Sequence, residues 1–187
     1  MRRYAMGMAA LALAWSATAQ AVEVGGVDIA EKASVGGKEL VLNGAGVRTR
    51  VVFKVYVASL YLPAKATTLQ GVLASGPRRI QMNLLRSLSA DQLVDALVDG
   101  LKDNHGEAEL AAMKAQQDQL VATMKAFPQV GEKDVVALDY ANGGTQILLN
   151  GASKATIPGD AFNAALTRIW LGERPVQGDL KKAMLGG

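Results

Sequence analysis

The residues whose types and spacing could do chemistry are gathered in one run, "GAGVRTRVVFKVYVASLYLP", residues 44–63. It threads Arg48, Arg50 and Lys54, with Tyr56 and Tyr61, through β-branched and aromatic neighbours. Read with the two-residue period of an extended chain, Arg48, Arg50, Val52, Lys54, Tyr56 and Ala58 share one face, and Tyr61 lies on the other. A solvated sheet face accounts for Arg50 and Lys54. The alternative is a sheet covered by helices, leaving a pocket with a cationic end suited to an anionic amphiphile. An arginine fork takes a carboxylate through two parallel charge-assisted hydrogen bonds.

Other candidates carry less. Gly44-Ala45-Gly46 lacks the third glycine and following helix of a dinucleotide loop, and the Gly-Lys-Ser/Thr of a phosphate loop, so it reads as a turn or bulge. The single histidine, His105, sits in the polar stretch "KDNHGE" and reads as a solvent-facing loop residue with no triad or metal cluster around it. Asp95 and Asp99, four apart and opposite a leucine stripe, read as solvated surface. Met113 and Met124 fall on the apolar side of an expected helix and read as core packing. There is no cysteine, which excludes catalytic thiols and thiolate metal sites. No catalytic set, metal ligand set or cofactor motif emerges.

The elements that must position the run follow from local signals. A short strand is expected over residues 22–29, then extended runs on either side of an Asn43-Gly44 turn. The run itself forms one long strand or two, ending at Pro63. Thr67 or Thr68 caps a short helix, and a further strand covers residues 79–85. Ser89 with Gln92 is a capping box, followed by the stripe Leu93, Leu97, Leu101. A second helix is expected over residues 107–127, stopped by Pro128 and Gly131. Ala141-Asn142-Gly143-Gly144 is a hairpin signal between residues 134–140 and 145–149. Asp160 caps a helix with Phe162, Leu166, Ile169 and Trp170, and a last short helix covers residues 180–185. Strands that do not alternate with helices indicate an α+β domain and exclude a doubly wound sheet.

Composition bounds the class. Arg2 and Arg3, a short apolar stretch and Ala19-Gln20-Ala21 read as a signal peptide over residues 1–21, cleaved after Ala21, which leaves one domain over residues 22–187. The expected location is periplasmic or secreted. The apolar stretch is well short of the ~20 residues that span a bilayer, and no later stretch reaches that length. The chain has 20 Lys+Arg against 17 Asp+Glu. Without the leader's two arginines the balance is about +1, which argues against a nucleic-acid partner.

The run at residues 44–63 resembles the glycine-arginine strand and the "KVYxxxLYL" strand of the chalcone isomerase-like superfamily, and "IWLGERPVQGDLKKAMLG" resembles the C-terminal end of its exported bacterial branch. The resemblance implies an open-faced β-sandwich, a long antiparallel sheet with helices packed over one face and a ligand cleft between them. It also implies that Arg48 and Tyr61 clasp a fatty-acid carboxylate, with Tyr56 or Lys54 as a neighbour. Because parity separates Arg48 from Tyr61, that clasp requires a break in the strand between them. Members that cyclise chalcones pair an arginine with a tyrosine and an asparagine at the start of a helix. Here that helix has no tyrosine, and its one asparagine, Asn104, is at the far end. The expectation is a non-catalytic binder of a small amphiphilic carboxylate. The alternatives are an isomerase acting on an α,β-unsaturated carbonyl compound, and a structural or partner-binding envelope protein whose cleft is filled by side chains.

Overall fold

The computed structural model describes residues 21–187. The expected leader, apart from Ala21, lies outside the described residues. The chain opens with a hairpin, β1 (Ala21–Val24) and β2 (Val27–Ala30), joined at Gly25-Gly26. Both glycines have positive φ, 62° and 89°, which a hairpin turn requires and glycine adopts without a steric penalty. The expected single strand over residues 22–29 is therefore two.

Seven strands then form one antiparallel sheet in chain order: β3 (Lys32–Val35), β4 (Lys38–Arg50), β5 (Phe53–Leu62), β6 (Arg78–Leu84), β7 (Val135–Ala141), β8 (Gly144–Leu149) and β9 (Ala152–Pro158). Helix α1 (Leu69–Ala74) links β5 to β6, with the Thr68 side chain accepting from the Gly71 N–H. Between β6 and β7 come α2 (Ala90–Asn104), α3 (Glu107–Ala112) and α4 (Lys114–Lys125). After β9 come α5 (Asp160–Leu171) and α6 (Gly178–Met184). Among the described residues, no helix is long and apolar enough to cross a membrane.

The Ser89 capping box forms in full: Ser89 Oγ accepts from the Gln92 N–H at 3.1 Å, and Gln92 Oε1 accepts from the Ser89 N–H at 2.9 Å. It starts α2 where Leu93, Leu97 and Leu101 can face the sheet, and all three are buried. Each such leucine is worth about 2 kcal/mol by burial. The expected helix over residues 107–127 is two helices, because Met113 leaves helical geometry at φ −108°, ψ 16°. The N-cap of α5 is Gly159, and Asp160 is its first helical residue.

Two cores result, one on each face of the sheet. The larger lies under the helices, where Leu60, Met82 and Leu138 meet Leu97, Met124 and Trp170. The smaller lies on the opposite face, where Val57, Tyr61 and Leu40 are covered by Ile29 of the β1–β2 hairpin. This is the α+β architecture of the open-faced sandwich: a long antiparallel sheet with helices over one face.

The Asn43-Gly44 dipeptide does not turn the chain. The register passes from Leu42 opposite Tyr61 to Gly44 opposite Leu60, so Asn43 is an extra residue inside a continuous β4. Its amide explains why. Nδ2 donates to the carbonyls of Ala66 and Met184, at 2.9 and 2.8 Å, and Oδ1 accepts from the Ala66 N–H at 2.8 Å. The side chain thus ties the bulge to the segment after β5 and to the end of α6. Helix α6 comes so close to the sheet that a Cβ on Gly44 would lie 2.1 Å from the Ala183 carbonyl. On Gly46, a Cβ would lie 2.8 Å from the Ala183 methyl. The Gly-x-Gly is a seat for α6.

Candidate ligand-binding cleft

The run at residues 44–63 is a hairpin. Its turn is Val51-Val52, with Arg50 opposite Phe53 and Thr49 opposite Lys54. Beyond that pair the register skips Val55, so Arg48 stands directly opposite Tyr56. Without the bulge Arg48 would face Val55, and Tyr56 would turn to the other side of the sheet. The strand therefore does break between Arg48 and Tyr61, but the turn and the bulge offset one another. The outcome pairs Arg48 with Tyr56 on the helix-covered face.

Tyr61 stays on the opposite face. It is 1% exposed within the smaller core, and its hydroxyl donates to the Ala30 carbonyl at 3.0 Å. The structure does not bring it to Arg48. Lys54 is exposed and does not line the cleft, because the turn pairs it with Thr49, on the face opposite Arg48 and Arg50, and the Val55 bulge then returns Tyr56 to the Arg48 face. Of the four residues singled out by sequence, Arg48 and Tyr56 meet, while Tyr61 and Lys54 lie elsewhere.

The cleft between the sheet and α2/α5 has a volume of about 710 Å³, within the range of small-molecule sites. Its walls mix apolar side chains, Val55, Met82, Leu93, Leu97, Ile169 and Val176 among them, with charged ones. It is open rather than plugged by side chains. Arg48, Arg50 and Arg86 line it from the sheet side, and Asp95, Asp99 and Asp103 from α2. Asp95 and Asp99 are solvated as expected, but on the rim of the cleft rather than on a remote surface.

Arg48 and Tyr56 are held by partners that sequence reasoning did not single out. Trp170 Nε1 donates to Tyr56 Oη at 3.1 Å, which leaves the Tyr56 proton available for another acceptor. Burial raises the Tyr56 pKa, against the opposing pull of the Trp170 hydrogen bond and the nearby Arg48 guanidinium. The group therefore stays a neutral donor. Arg48 Nη1 donates to the Thr49 carbonyl and to Gln177 Oε1, the latter at 3.3 Å. Gln177 also accepts from the Thr49 N–H at 2.9 Å and donates to the Val47 carbonyl at 3.3 Å. One glutamine thus staples the start of α6 to β4 and fixes the arginine. Among the described residues, Arg48 Nε and Nη2 and the Tyr56 hydroxyl proton form no well-aligned hydrogen bond to protein, although the guanidinium lies close enough to the Tyr56 oxygen to interact with it. Cationic and neutral donors converging beside apolar walls can bind a carboxylate or stabilise another oxyanion.

Trp170 and Gln177 lie within the C-terminal segment "IWLGERPVQGDLKKAMLG", whose pattern was legible while the roles of these two were not. His105 is packed rather than solvent-facing. Its side chain is 4% exposed, with Nδ1 3.5 Å from Glu109 and Nε2 3.5 Å from the Ala165 carbonyl. Among the described residues, no group of three or more His, Asp or Glu side chains could hold a metal ion.

Residues 21–186 match the family model described as chalcone isomerase-like. Among solved structures, the chain is similar to a crystal structure of a fatty-acid binding protein from Arabidopsis thaliana. That similarity has a TM-score of 0.68 at 11% identity and covers 86% of this chain and 92% of that one. At such identity it shows the fold alone. No curated protein matches.

Proposed function

Starting from the chain's membership of the chalcone isomerase-like family, we propose that it is an exported, non-catalytic binder of a fatty acid or similar amphiphilic carboxylate. The ligand's head group is held by Arg48 and Tyr56, and its chain lies along Leu93, Leu97, Ile169 and Met82. One observation carries this reading: two side chains directly opposite one another present donors not engaged by protein in a cleft that runs on along apolar side chains. An anion there gains charge-assisted bonds worth about 2–3 kcal/mol each where water is partly excluded. Apolar burial of the chain adds about 0.8 kcal/mol per CH₂. The similarity to a fatty-acid binding protein is in keeping with this.

The side chains α2 sends into the cleft are Gln92, Leu93, Asp95, Ala96, Leu97, Asp99 and Asp103, with neither the tyrosine nor the asparagine that cyclising members place there. The same Arg–Tyr pair therefore serves binding better than turnover. Native mass spectrometry of protein taken from its own cell envelope is expected to show a bound acyl carboxylate, and Arg48→Ala to lose it. Protein that carries no acyl lipid, with palmitate affinity unchanged by Arg48→Ala, would falsify the reading. Absorbance assays with chalcones and related enones are expected to stay flat.

A further inference from the structure

Among the described residues, four large apolar side chains are exposed, and three of them are consecutive: Val51 at 88%, Val52 at 78% and Phe53 at 57%. They form the tip of the β4–β5 hairpin. Apolar residues scattered singly on a surface need no explanation, but a contiguous exposed group does. The backbone sharpens the point. Val51 adopts φ 57°, a region where a β-branched residue is an outlier and where glycine or asparagine is the usual hairpin choice. The tip thus keeps a valine where both solubility and backbone geometry favour something else.

The surroundings of the tip are cationic. Arg50 and Lys54 flank it on the two strands, both exposed. Arg86 stacks its guanidinium 4.8 Å from the Phe53 ring centroid. No carboxylate pairs with Arg50, Lys54 or Arg86 among the described residues. Apolar side chains collared by cations match the boundary between acyl chains and anionic head groups, where the apolar part is buried and the cations meet lipid phosphates. A protein partner would need a larger and flatter surface than three side chains offer. The tip also borders the cleft: Arg50, Val51, Phe53 and Arg86 line its mouth. The facing rim, Asp95, Asp99 and Asp103 of α2, carries the opposite charge and would be repelled by an anionic surface.

We propose that the Val51-Val52-Phe53 tip docks the protein on bilayers rich in anionic lipid, with the sheet-side rim down and α2 tilted away. The cleft mouth then opens at the membrane surface, and an amphiphile passes between bilayer and cleft without crossing water. The docking stands on the tip alone; that it serves the cleft rests on the binding reading above.

The test uses protein in the form the producing cell leaves it, its N-terminus read by mass spectrometry, with wild type and variants compared in that same form. Val52 and Lys54 do not line the cleft, so the variant is V52D/K54E, checked by thermal melting for an intact fold. Sedimentation with vesicles of phosphatidylethanolamine and phosphatidylglycerol is expected to capture the wild type, phosphatidylcholine vesicles to capture far less, and high salt to release it. The variant is expected to partition about tenfold more weakly while binding palmitate in solution as the wild type does. Equal partition onto neutral and anionic vesicles, or unchanged partition of V52D/K54E, overturns the docking. Self-association of the wild type that V52D/K54E abolishes also overturns it, making the tip a contact between copies. Failure of the cleft reading looks different: docking persists, but palmitate affinity is the same in wild type and Arg48→Ala.

Discussion

Three arginines of the sheet stand directly across from tyrosines, and two of these pairs, one on each face, have opposite fates. On the helix-covered face Arg48 stands opposite Tyr56; on the other, Arg79 stands opposite Tyr61. Arg79 is consumed. It makes a two-pronged ion pair with Asp139, Nε to Oδ1 and Nη2 to Oδ2, both at 2.6 Å, and that partner raises its pKa. Tyr61 is consumed as well, its proton spent on the Ala30 carbonyl. Arg48 and Tyr56 keep donors that form no well-aligned hydrogen bond to protein, and they border a cleft rather than a packed layer. The same residue types, each directly across from the other, thus become framework on one face and candidate site on the other. What separates them is whether neighbouring elements supply acceptors.

The sharpest way to break this comparison is to remove the acceptor on the framework face. Asp139→Ala strands Arg79, whose side chain is only 18% exposed, without its partner. Loss of one member of such a pair is expected to cost about 3 kcal/mol of stability, read as a lower urea midpoint at unchanged slope. Palmitate affinity per folded molecule should not move. A large affinity loss would mean that the two faces are not independent.

The second change targets the open pair. Arg48→Ala is expected to weaken palmitate binding by roughly ten- to a hundredfold, the worth of a charge-assisted bond. Its stability cost should be small, because the guanidinium holds only the Thr49 carbonyl and Gln177. Arg48→Lys should recover part of the affinity at most, since an ammonium cannot offer a planar fork. Binding by isothermal titration beside a thermal melt separates the two effects.

A gentler pair sharpens the contrast. Tyr56→Phe and Tyr61→Phe each remove one hydroxyl and are each expected to cost about 1 kcal/mol of stability, since Trp170 Nε1 and the Ala30 carbonyl lose a partner. Only Tyr56→Phe should also weaken palmitate, by about fivefold. Equal effects on binding would remove Tyr56 from the head-group site.

What the sequence made legible was local. The Ser89–Gln92 box, the Thr68 cap and the 141–144 hairpin each depend on residues within a few positions, and all formed. The fold class followed from their order together with the family resemblance. The misses come from contacts across the chain. Asn43-Gly44 carries the residues of a turn, but Asn43 finds acceptors 23 and 141 residues away and becomes a bulge. Val51-Val52 turns the chain with no glycine, asparagine or proline to announce it. Strand β9, "ASKATIP", is mostly exposed at the sheet edge and lacks the apolar alternation that marks a strand. For the candidate site, period-two parity placed Arg48 and Tyr56 on one face and Tyr61 on the other, and the pairing with Tyr61 came from the family resemblance. What periodicity could not show is that a turn at Val51-Val52 and the Val55 bulge offset one another to keep that parity. Trp170 and Gln177 act through the fold, from 114 and 129 residues away.

The smallest effect expected is in alkaline solution, where the two faces behave alike until ligand is added. Burial is the leading cause holding both the Tyr56 and the Tyr61 pKa above the ordinary tyrosine value, which is about 10. The folded state then keeps its phenol protons to higher pH than the unfolded chain. Above about pH 10 the unfolded state binds fewer protons, so stability falls as pH rises through the folded values and is fully present below that range. Tyr140, raised by its hydrogen bond to Asp160, adds to the same decline. Tyr56→Phe and Tyr61→Phe should therefore each flatten the alkaline loss in ligand-free protein. Palmitate separates them, because its carboxylate gains a bond from the Tyr56 hydroxyl only while that proton is present. The rise in Tm on adding palmitate is expected to stay level from pH 7 to about 10 and then shrink in the wild type and in Tyr61→Phe. In Tyr56→Phe the rise should be smaller but level across the whole range, since Arg48 alone then holds the carboxylate. A rise that shrinks in Tyr56→Phe as it does in the wild type would show that Tyr56 is as fully spent as Tyr61.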